Sequence, residues 1–364
     1  MTKTIVLTTG GSGGHIFPAQ SVAEELIKKG FKVIFITDKR GNAFQNLPAV
    51  ETYHLAADSV TGRSIIGKIF AFAKLILGSS QAMRKLIQLQ PDLVIGFGGY
   101  ASLPTVISAQ MLKIPVVLHE QNAILGRANR VGAKKVKLIA TSFPHVERIP
   151  QNIPSIHVGQ PVRAPILARK NTPLPNDDTF NLLVFGGSQG AHFFSEHIPE
   201  VLMKLPPKYR SKITLVQQAR PEDEEMLKKA YKNAGFKSLT IAPFFKNMPD
   251  LLSNANLIIG RGGAGTLTEV MVVGRPAIIV PLPSAADNHQ VANAKELEKV
   301  GGGWLVEQKD FDAIKMADQL KMFMDKPDIL KKAAQKAHSL AIINAAERMA
   351  DIAVDITKGL TNDK

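Results

Sequence analysis

The sequence predicts an α/β protein of two parallel-sheet domains that face each other across a cleft, and three observations carry that prediction. Short β-rich runs alternate with helical patterns, the signature of strands joined by helical crossovers. The alternation occurs in two separate series, and each series opens on the same glycine motif directly after its first strand. A length of 364 residues fits two domains at about 100–200 residues each.

In the first series Thr4–Thr9, Lys32–Thr37, Leu93–Phe97, Val116–His119 and Leu138–Thr141 read as strands, with helices such as Ala19–Lys29 between them. The second series reads Asn181–Phe185, Ile213–Gln217, Leu239–Ala242, Leu257–Ile259 and Ala277–Val280. Between them Pro144, Pro150, Pro154, Pro161, Pro165, Pro173 and Pro175 mark a connector, so the boundary falls near Gln160–Asp178. The expected domains are 1–162 and 163–340. The tail Phe311–Gly359 reads as helical throughout, and its last helix, about 341–364, is expected to pack back on the first domain.

The repeat is sharpest where the domains begin. Thr4–His15 (TIVLTTGGSGGH) and Asn181–His192 (NLLVFGGSQGAH) align Gly10, Gly11, Ser12 and Gly14 with Gly186, Gly187, Ser188 and Gly190. Two Rossmann-like domains of this kind place their ligand loops at the carboxyl ends of the strands, so one ligand is expected to bridge them.

The formal charge is +14, with 45 Lys and Arg against 31 Asp and Glu, and there is no cysteine. Disulfide scaffolds, thiol nucleophiles and Cys-held metals are thereby excluded. Residues 1–162 carry 18 basic and 8 acidic side chains while 163–364 carry 27 and 23, so the excess belongs to the first domain, which asks for an anionic partner. The first ten residues lack the basic start and apolar length of a secretory signal, so the chain is expected in the cytoplasm. Ser64–Gly78 (SIIGKIFAFAKLILG) is the longest apolar run; it falls short of the roughly 20 residues of a spanning helix and contains Lys68 and Lys74. On a helix, Ile65, Ile66, Ile69, Phe70, Phe72, Ala73, Ile76 and Leu77 share one face. Such a helix lies at a membrane interface or covers a parallel sheet.

A glycine turn between strand and helix exposes backbone N–H groups at a positive helix end and suits a phosphate. The chain has three: Gly10–Gly14, Gly186–Gly190 and Gly260–Gly265. The dinucleotide spacing fails, because Ile16 and Ala191 stand where the third glycine belongs, and no Gly-Lys-Ser/Thr follows any turn. After the third turn Glu269 falls within about the first helical turn, where a carboxylate suits ribose hydroxyls or complements the helix dipole. Asp287, Asn288, His289, Gln290 and Asn293 then crowd together as candidate readers of sugar hydroxyls. In the first domain His15, Gly98-Gly99-Tyr100 and His119-Glu120-Gln121-Asn122 each follow a strand. An imidazole titrating near ~6.5 can take a hydroxyl proton, so His15 is the first candidate base and Glu120 the second. Asp310 and Asp312 read as helix caps, and no metal site is expected; Arg163 or Arg261, with backbone N–H groups, are left to meet a leaving diphosphate.

In register from residue 4 to about residue 357, Gly10-Gly11-Ser12-Gly13-Gly14-His15, Gly98-Gly99-Tyr100, His119-Glu120-Gln121-Asn122, Pro161-Val162-Arg163, Gly186-Gly187-Ser188-Gln189-Gly190, Gly263-Ala264-Gly265-Thr266-Leu267-Thr268-Glu269 and Asp287-Asn288-His289-Gln290 closely resemble the MurG family of N-acetylglucosaminyltransferases. The resemblance implies the GT-B architecture and inverting transfer of N-acetylglucosamine from UDP-N-acetylglucosamine to the 4-hydroxyl of the N-acetylmuramoyl unit of lipid I, giving lipid II for peptidoglycan. It implies that Ser188 contacts the diphosphate with Arg163 nearby, that Phe245 stands at the uracil, and that Glu269 holds the ribose. Ala264, Gly265, Thr266, Leu267, Thr268 and Gln290 contact phosphate or sugar, while Ser12, Gly13, Gly14 and Asn122 complete the donor site. His15 and Tyr100 belong near the acceptor. The nucleotide sugar is a co-substrate, and no cofactor is implied.

A polyprenyl acceptor further implies a peripheral protein on the cytoplasmic face of the inner membrane, reached through Ile69, Phe70, Phe72, Lys68 and Lys74, with other cell-wall synthesis proteins as further partners. Two rivals differ in class. A UDP-N-acetylglucosamine 2-epimerase would use a similar donor pocket without a lipid acceptor. A nucleic-acid binder would use the charge, but aromatic residues make up only 6% and no recognition motif appears, so no nucleic-acid partner is expected.

Overall fold

The computed structural model describes residues 2–10, 13–38, 50–56, 65–175, 178–187 and 190–362, with 65–72 and 360–362 described by backbone alone. It divides into two compact units, Met1–Arg163 with Ile342–Lys364, and Ala164–Ala341.

In the first unit β1 (Thr4–Thr8), β2 (Lys32–Thr37), β3 (Glu51–His54), β4 (Leu93–Gly96), β5 (Val116–Glu120), β6 (Leu138–Thr141) and β7 (Ser155–His157) form one sheet in the order β3-β2-β1-β4-β5-β6-β7. In the second, β8 (Phe180–Phe185), β9 (Ile213–Gln218), β10 (Ser238–Ala242), β11 (Leu257–Gly260), β12 (Ala277–Ile279) and β13 (Gly303–Leu305) are ordered β10-β9-β8-β11-β12-β13. All neighbouring strands are parallel, so both units are Rossmann-like, as the repeated grammar predicts.

Alternation along a strand sends successive side chains to opposite faces, and parallel sheets bury both. Ile5 and Leu7 of β1 join Leu26 of the helix Gly13–Lys28 and Met349, Ala350 and Ala353 of the helix Ala345–Asn362. Val6, between them, joins Leu86 of the helix Ile65–Leu89 and Val106 of the helix Leu103–Met111 on the other face. The C-terminal helix is therefore part of the first unit's core. In the second unit one core gathers Leu182, Val184, Phe194, Leu202, Leu215, Ile259 and Phe323. Arg275, fully buried there, donates to the carbonyls of Thr172, Pro173, Leu252, Ser253 and Gly274, which ties the end of the proline-rich connector to this unit.

The apolar run falls in the helix Ile65–Leu89. Ala82 and Leu86, further along Ile65–Leu89, are buried against the sheet, whereas Ile76 and Leu77 are 57% and 51% exposed beside exposed Lys74. The side chains of Lys68, Ile69, Phe70 and Phe72 lie outside the described residues.

Three strands escape the sequence reading: β3, β7 and β13. The first two are sheet edges whose polar residues stay exposed or half-buried, so apolar alternation is absent, and β13 is three residues long. The first helix starts at Gly13, six residues before the expected Ala19, which places His15 in its first turn. The tail is not one helical run: Ala313–Asp325 stops where Pro327, lacking an N–H, opens a new helix that ends at Ser339, before Ala345–Asn362. Asp312 caps the first of these, its Oδ1 accepting from the N–H groups of Ile314 and Lys315 at 2.9 Å.

Candidate active site

In each sheet the strand order reverses next to the first strand, between β1 and β4 and between β8 and β11, and such switch points are where open α/β sheets bind ligands.

At the first switch point the loops after β1 and β4 touch. Gly10 N–H donates to Gly98 O at 3.0 Å, and a Cβ on Gly99 would stand 2.9 Å from Gly10 Cα, so only glycine, here at φ 78°, fits. His15 lies over this glycine floor: Cβ atoms built on Gly98 and Gly99 would meet its ring at 3.4 and 3.5 Å. Its Nδ1 is 2.8 Å from Phe97 O and also meets the side-chain amide of Gln121. The Phe97 carbonyl only accepts and calls for a proton on Nδ1, whereas Gln121 Nε2 only donates and calls for a bare Nδ1; with the proton on Nδ1, Nε2 is the basic nitrogen.

Glu120, the last residue of β5, is buried, and both its oxygens are occupied. Oε1 accepts from Asn122 N at 2.9 Å and Asn122 Nδ2 at 3.2 Å; Oε2 accepts from Gly126 N and Asn129 Nδ2, both at 2.8 Å. Burial raises its pKa, against the pull of these four hydrogen bonds. Through these bonds Glu120 shapes the loop that carries Gln121 and Asn122. Its neighbour His119, also buried, donates from Nε2 to Gly159 O at 3.2 Å; desolvation lowers it to about 4. Tyr100 is half-buried at the start of a 3₁₀ turn that follows Gly99.

At the second switch point the helix Ala264–Val273 starts after β11, with Gly263 as its N-cap, so no capping side chain competes for the first-turn N–H groups. Gly265, Thr266 and Glu269 are half-buried, whereas Ala264, Leu267 and Thr268 are buried, and Thr268 Oγ1 donates back to Ala264 O at 2.9 Å. Leu267 N–H donates to Gly263 O at 3.0 Å. Glu269 is the sixth helical residue, beyond the first turn expected for it, which weakens its reading as a dipole complement.

Gln290 serves the loop as well. Its Oε1 accepts from Gly262 N at 3.2 Å and Leu282 N at 2.9 Å, and a Cβ on Gly262 would meet Gln290 O at 2.4 Å. Asn293 Nδ2 donates to Gly262 O at 3.0 Å. Just before the helix His289–Lys299, which carries Gln290 and Asn293, Asp287 and Asn288 both take left-handed backbone, φ 53° and 58°, a conformation that short polar side chains tolerate.

Arg261 is buried over the Phe194 ring, its Nη1 donating to Val280 O, Pro281 O and Gln308 Oε1 at 3.0–3.1 Å. Through Nη1 this cation braces the second unit's own loops. Arg163 ends the first unit, 4.5 Å over the Phe17 ring. Phe245 is half-buried in the loop after β10. Ser12 and Ser188 lie outside the described residues; Gly13 and Gly14 are exposed at the helix start, and Asn122 is half-buried.

Sequence reasoning missed two polar residues that join loops. Gln218, at the end of β9, accepts from Gly186 N at 3.0 Å and donates to Pro243 O at 3.0 Å, linking the second glycine turn to the loop of Phe245. Asn129 spans Glu120 and His119 O. A polar side chain ending an apolar strand was the available signal for Gln218; Asn129, within a short helix, gave none. A cavity of about 230 Å³ lined by Phe180, Tyr209, Lys212, Asn256 and Asp325 opens at the amino ends of the second sheet's strands, opposite the glycine loops.

Two Rossmann-like units with glycine turns at their switch points define the GT-B architecture. Residues 5–141 match the glycosyltransferase family 28 N-terminal domain and residues 181–356 its C-terminal domain, so the chain belongs to glycosyltransferase family 28. It is 45% identical over 353 residues, 96% of its length and 90% of the relative's, to the UDP-N-acetylglucosamine–N-acetylmuramyl-(pentapeptide) pyrophosphoryl-undecaprenol N-acetylglucosamine transferase of Rhodospirillum rubrum. It is 41% identical to the transferase of the same name from Rhodospirillum centenum, covering 99% of this chain and 96% of that one. The crystal structure of Acinetobacter baumannii MurG superposes with a TM-score of 0.78 at 30% identity, covering 96% of this chain and 98% of that one. The UDP-GlcNAc 2-epimerase from Neisseria meningitidis, at 15% identity and a TM-score of 0.70 over 97% of this chain and all of that one, shares the fold.

Proposed function

We infer that the chain transfers N-acetylglucosamine from UDP-N-acetylglucosamine to the 4-hydroxyl of the N-acetylmuramoyl unit of lipid I, an undecaprenyl-diphospho-N-acetylmuramoyl-pentapeptide, with inversion, giving lipid II and UDP in peptidoglycan synthesis. The observation that carries this is the 45% identity, over nearly the whole of both chains, to a transferase named for that reaction.

In this reading His15 is the general base. With Nδ1–H fixed on Phe97 O, Nε2 takes the proton of the attacking hydroxyl, a contribution of about 10²–10⁴ in rate. The oxygen then bonds to the anomeric carbon while the bond to the diphosphate breaks and its electron pair leaves with UDP. The second unit holds the donor. N–H groups at the start of Ala264–Val273 and in the Gly186–Gly190 turn, with Ser188, receive the phosphates. Glu269 accepts ribose hydroxyls, the loop around Phe245 receives the base, and the Asp287–Gln290 segment meets the sugar. Ser12, Gly13, Gly14, Asn122 and Arg163 complete the donor contacts, and Tyr100 belongs to the acceptor side. No cofactor or metal enters this chemistry.

The lipid acceptor calls for a membrane surface, on the cytoplasmic face in this reading. Exposed Ile76, Leu77 and Lys74, together with the basic excess of residues 1–162, support a peripheral attachment; among the described residues no helix is long and apolar enough to cross a membrane. The test is transfer of radiolabelled N-acetylglucosamine to a lipid I analogue, with the anomeric configuration of the product read by NMR. A β-linked disaccharide is expected, and label recovered only as an epimerised nucleotide sugar would overturn the reading.

A further inference from the structure

We propose that Arg220 is a catalytic residue of the second unit: its guanidinium binds the diphosphate of the nucleotide sugar at the Gly186–Gly190 turn and neutralises the charge that develops as UDP departs. The proposal rests on the transferase reading and adds a residue to it.

Charge bookkeeping raises the question. Breaking the glycosidic bond to phosphate leaves its electron pair on a diphosphate oxygen, while the acceptor proton goes to His15 and the acceptor oxygen bonds to the anomeric carbon. Nothing is oxidised or reduced. A cation in the donor unit would stabilise this new charge beyond what backbone N–H groups supply, and Arg261 directs its Nη1 to Val280 O, Pro281 O and Gln308.

Arg220 stands at the right place. It follows β9, the strand beside β8, and its stem packs on the glycine turn: a Cβ on Gly190 would meet Arg220 Cγ at 3.3 Å. Its acidic neighbour Glu222 is 3.9 Å away, beyond hydrogen-bond distance, and the side chain is 42% exposed. The segment is fastened on both sides. Ala219 N–H donates to Ala242 O at 3.1 Å, and buried Asp223 holds His192 Nδ1 at 2.7 Å, pinning the loop to the first residue of the helix His192–Lys204. Gln218, immediately before, already bonds Gly186 N. Two fixed ends hold Arg220 beside Gly190, two residues before the helix His192–Lys204, and a planar guanidinium there can take two phosphate oxygens at once.

The experiment compares UDP with uridine by calorimetry on the full chain. Wild type is expected to bind UDP well above uridine. Arg220→Met, which keeps the stem on Gly190 and removes the charge, is expected to lose about tenfold on UDP with uridine unchanged, and to lower kcat for transfer by a similar or larger factor. Arg220→Lys should recover part of both. UDP affinity equal to wild type in Arg220→Met overturns the proposal, as does an equal loss on uridine, which would mark a structural role. Wild type that binds neither compound overturns the transferase reading itself, so the two failures are distinct.

Discussion

His15 Nδ1 and the carbonyl oxygen of Phe97 meet at 2.8 Å, across the switch point of the first sheet. This contact sets the direction of the imidazole, and Gly10, Gly98 and Gly99 leave room for the ring. The imidazole is thus positioned by the backbone of its own unit.

His15→Ala is expected to lower kcat by about 10²–10⁴ while the KM for UDP-N-acetylglucosamine changes by no more than about twofold. Steady-state kinetics at saturating acceptor reads both values. Unchanged turnover would remove His15 from the mechanism.

Glu120→Gln is expected to act through structure. The amide places an NH₂ against two of the four N–H donors that Glu120 now satisfies, and each orphaned donor costs about 1–3 kcal/mol. Calorimetry should show a drop in Tm of several degrees alongside reduced activity. Full stability with turnover abolished would mark Glu120 as the base.

These two residues show how far the sequence reached. The β1 and β4 glycine loops and His15 were legible because strand, glycine turn and helix follow one another locally. The roles of Glu120, Gln121 and Arg261 were not, since each depends on partners from other loops: Gly126 and Asn129, Phe97 and His15, Val280 and Gln308. The edge strands β3 and β7 hid for the opposite reason: with little to bury, they carry little apolar pattern.

Acid should destabilise the protein through His119. Burial lowers its pKa from 6.5 to about 4, so between those values the unfolded chain binds a proton that the native imidazole refuses. Stability contributed by the neutral ring is complete above about pH 6.5 and falls as the pH drops toward 4, by about 3 kcal/mol in all. Urea melts between pH 7 and 4.5 should show this slope, and NMR should show the His119 ring neutral through pH 5. Titration near 6.5 would contradict it.

Replacing Ile76 and Leu77 together by serine is expected to lower partition into liposomes containing anionic phospholipid about tenfold or more, because both side chains are exposed and have apolar area to bury. Turnover of a soluble acceptor analogue should stay within about twofold of wild type. Equal liposome binding would place the membrane contact elsewhere.

The central claim is transfer from UDP-N-acetylglucosamine to a lipid-linked muramoyl acceptor. UDP release measured with and without a short-chain lipid I analogue tests it most directly. The account predicts release that depends on the analogue and matches it one for one in product; release at the same rate without acceptor, or none with it, would contradict the account.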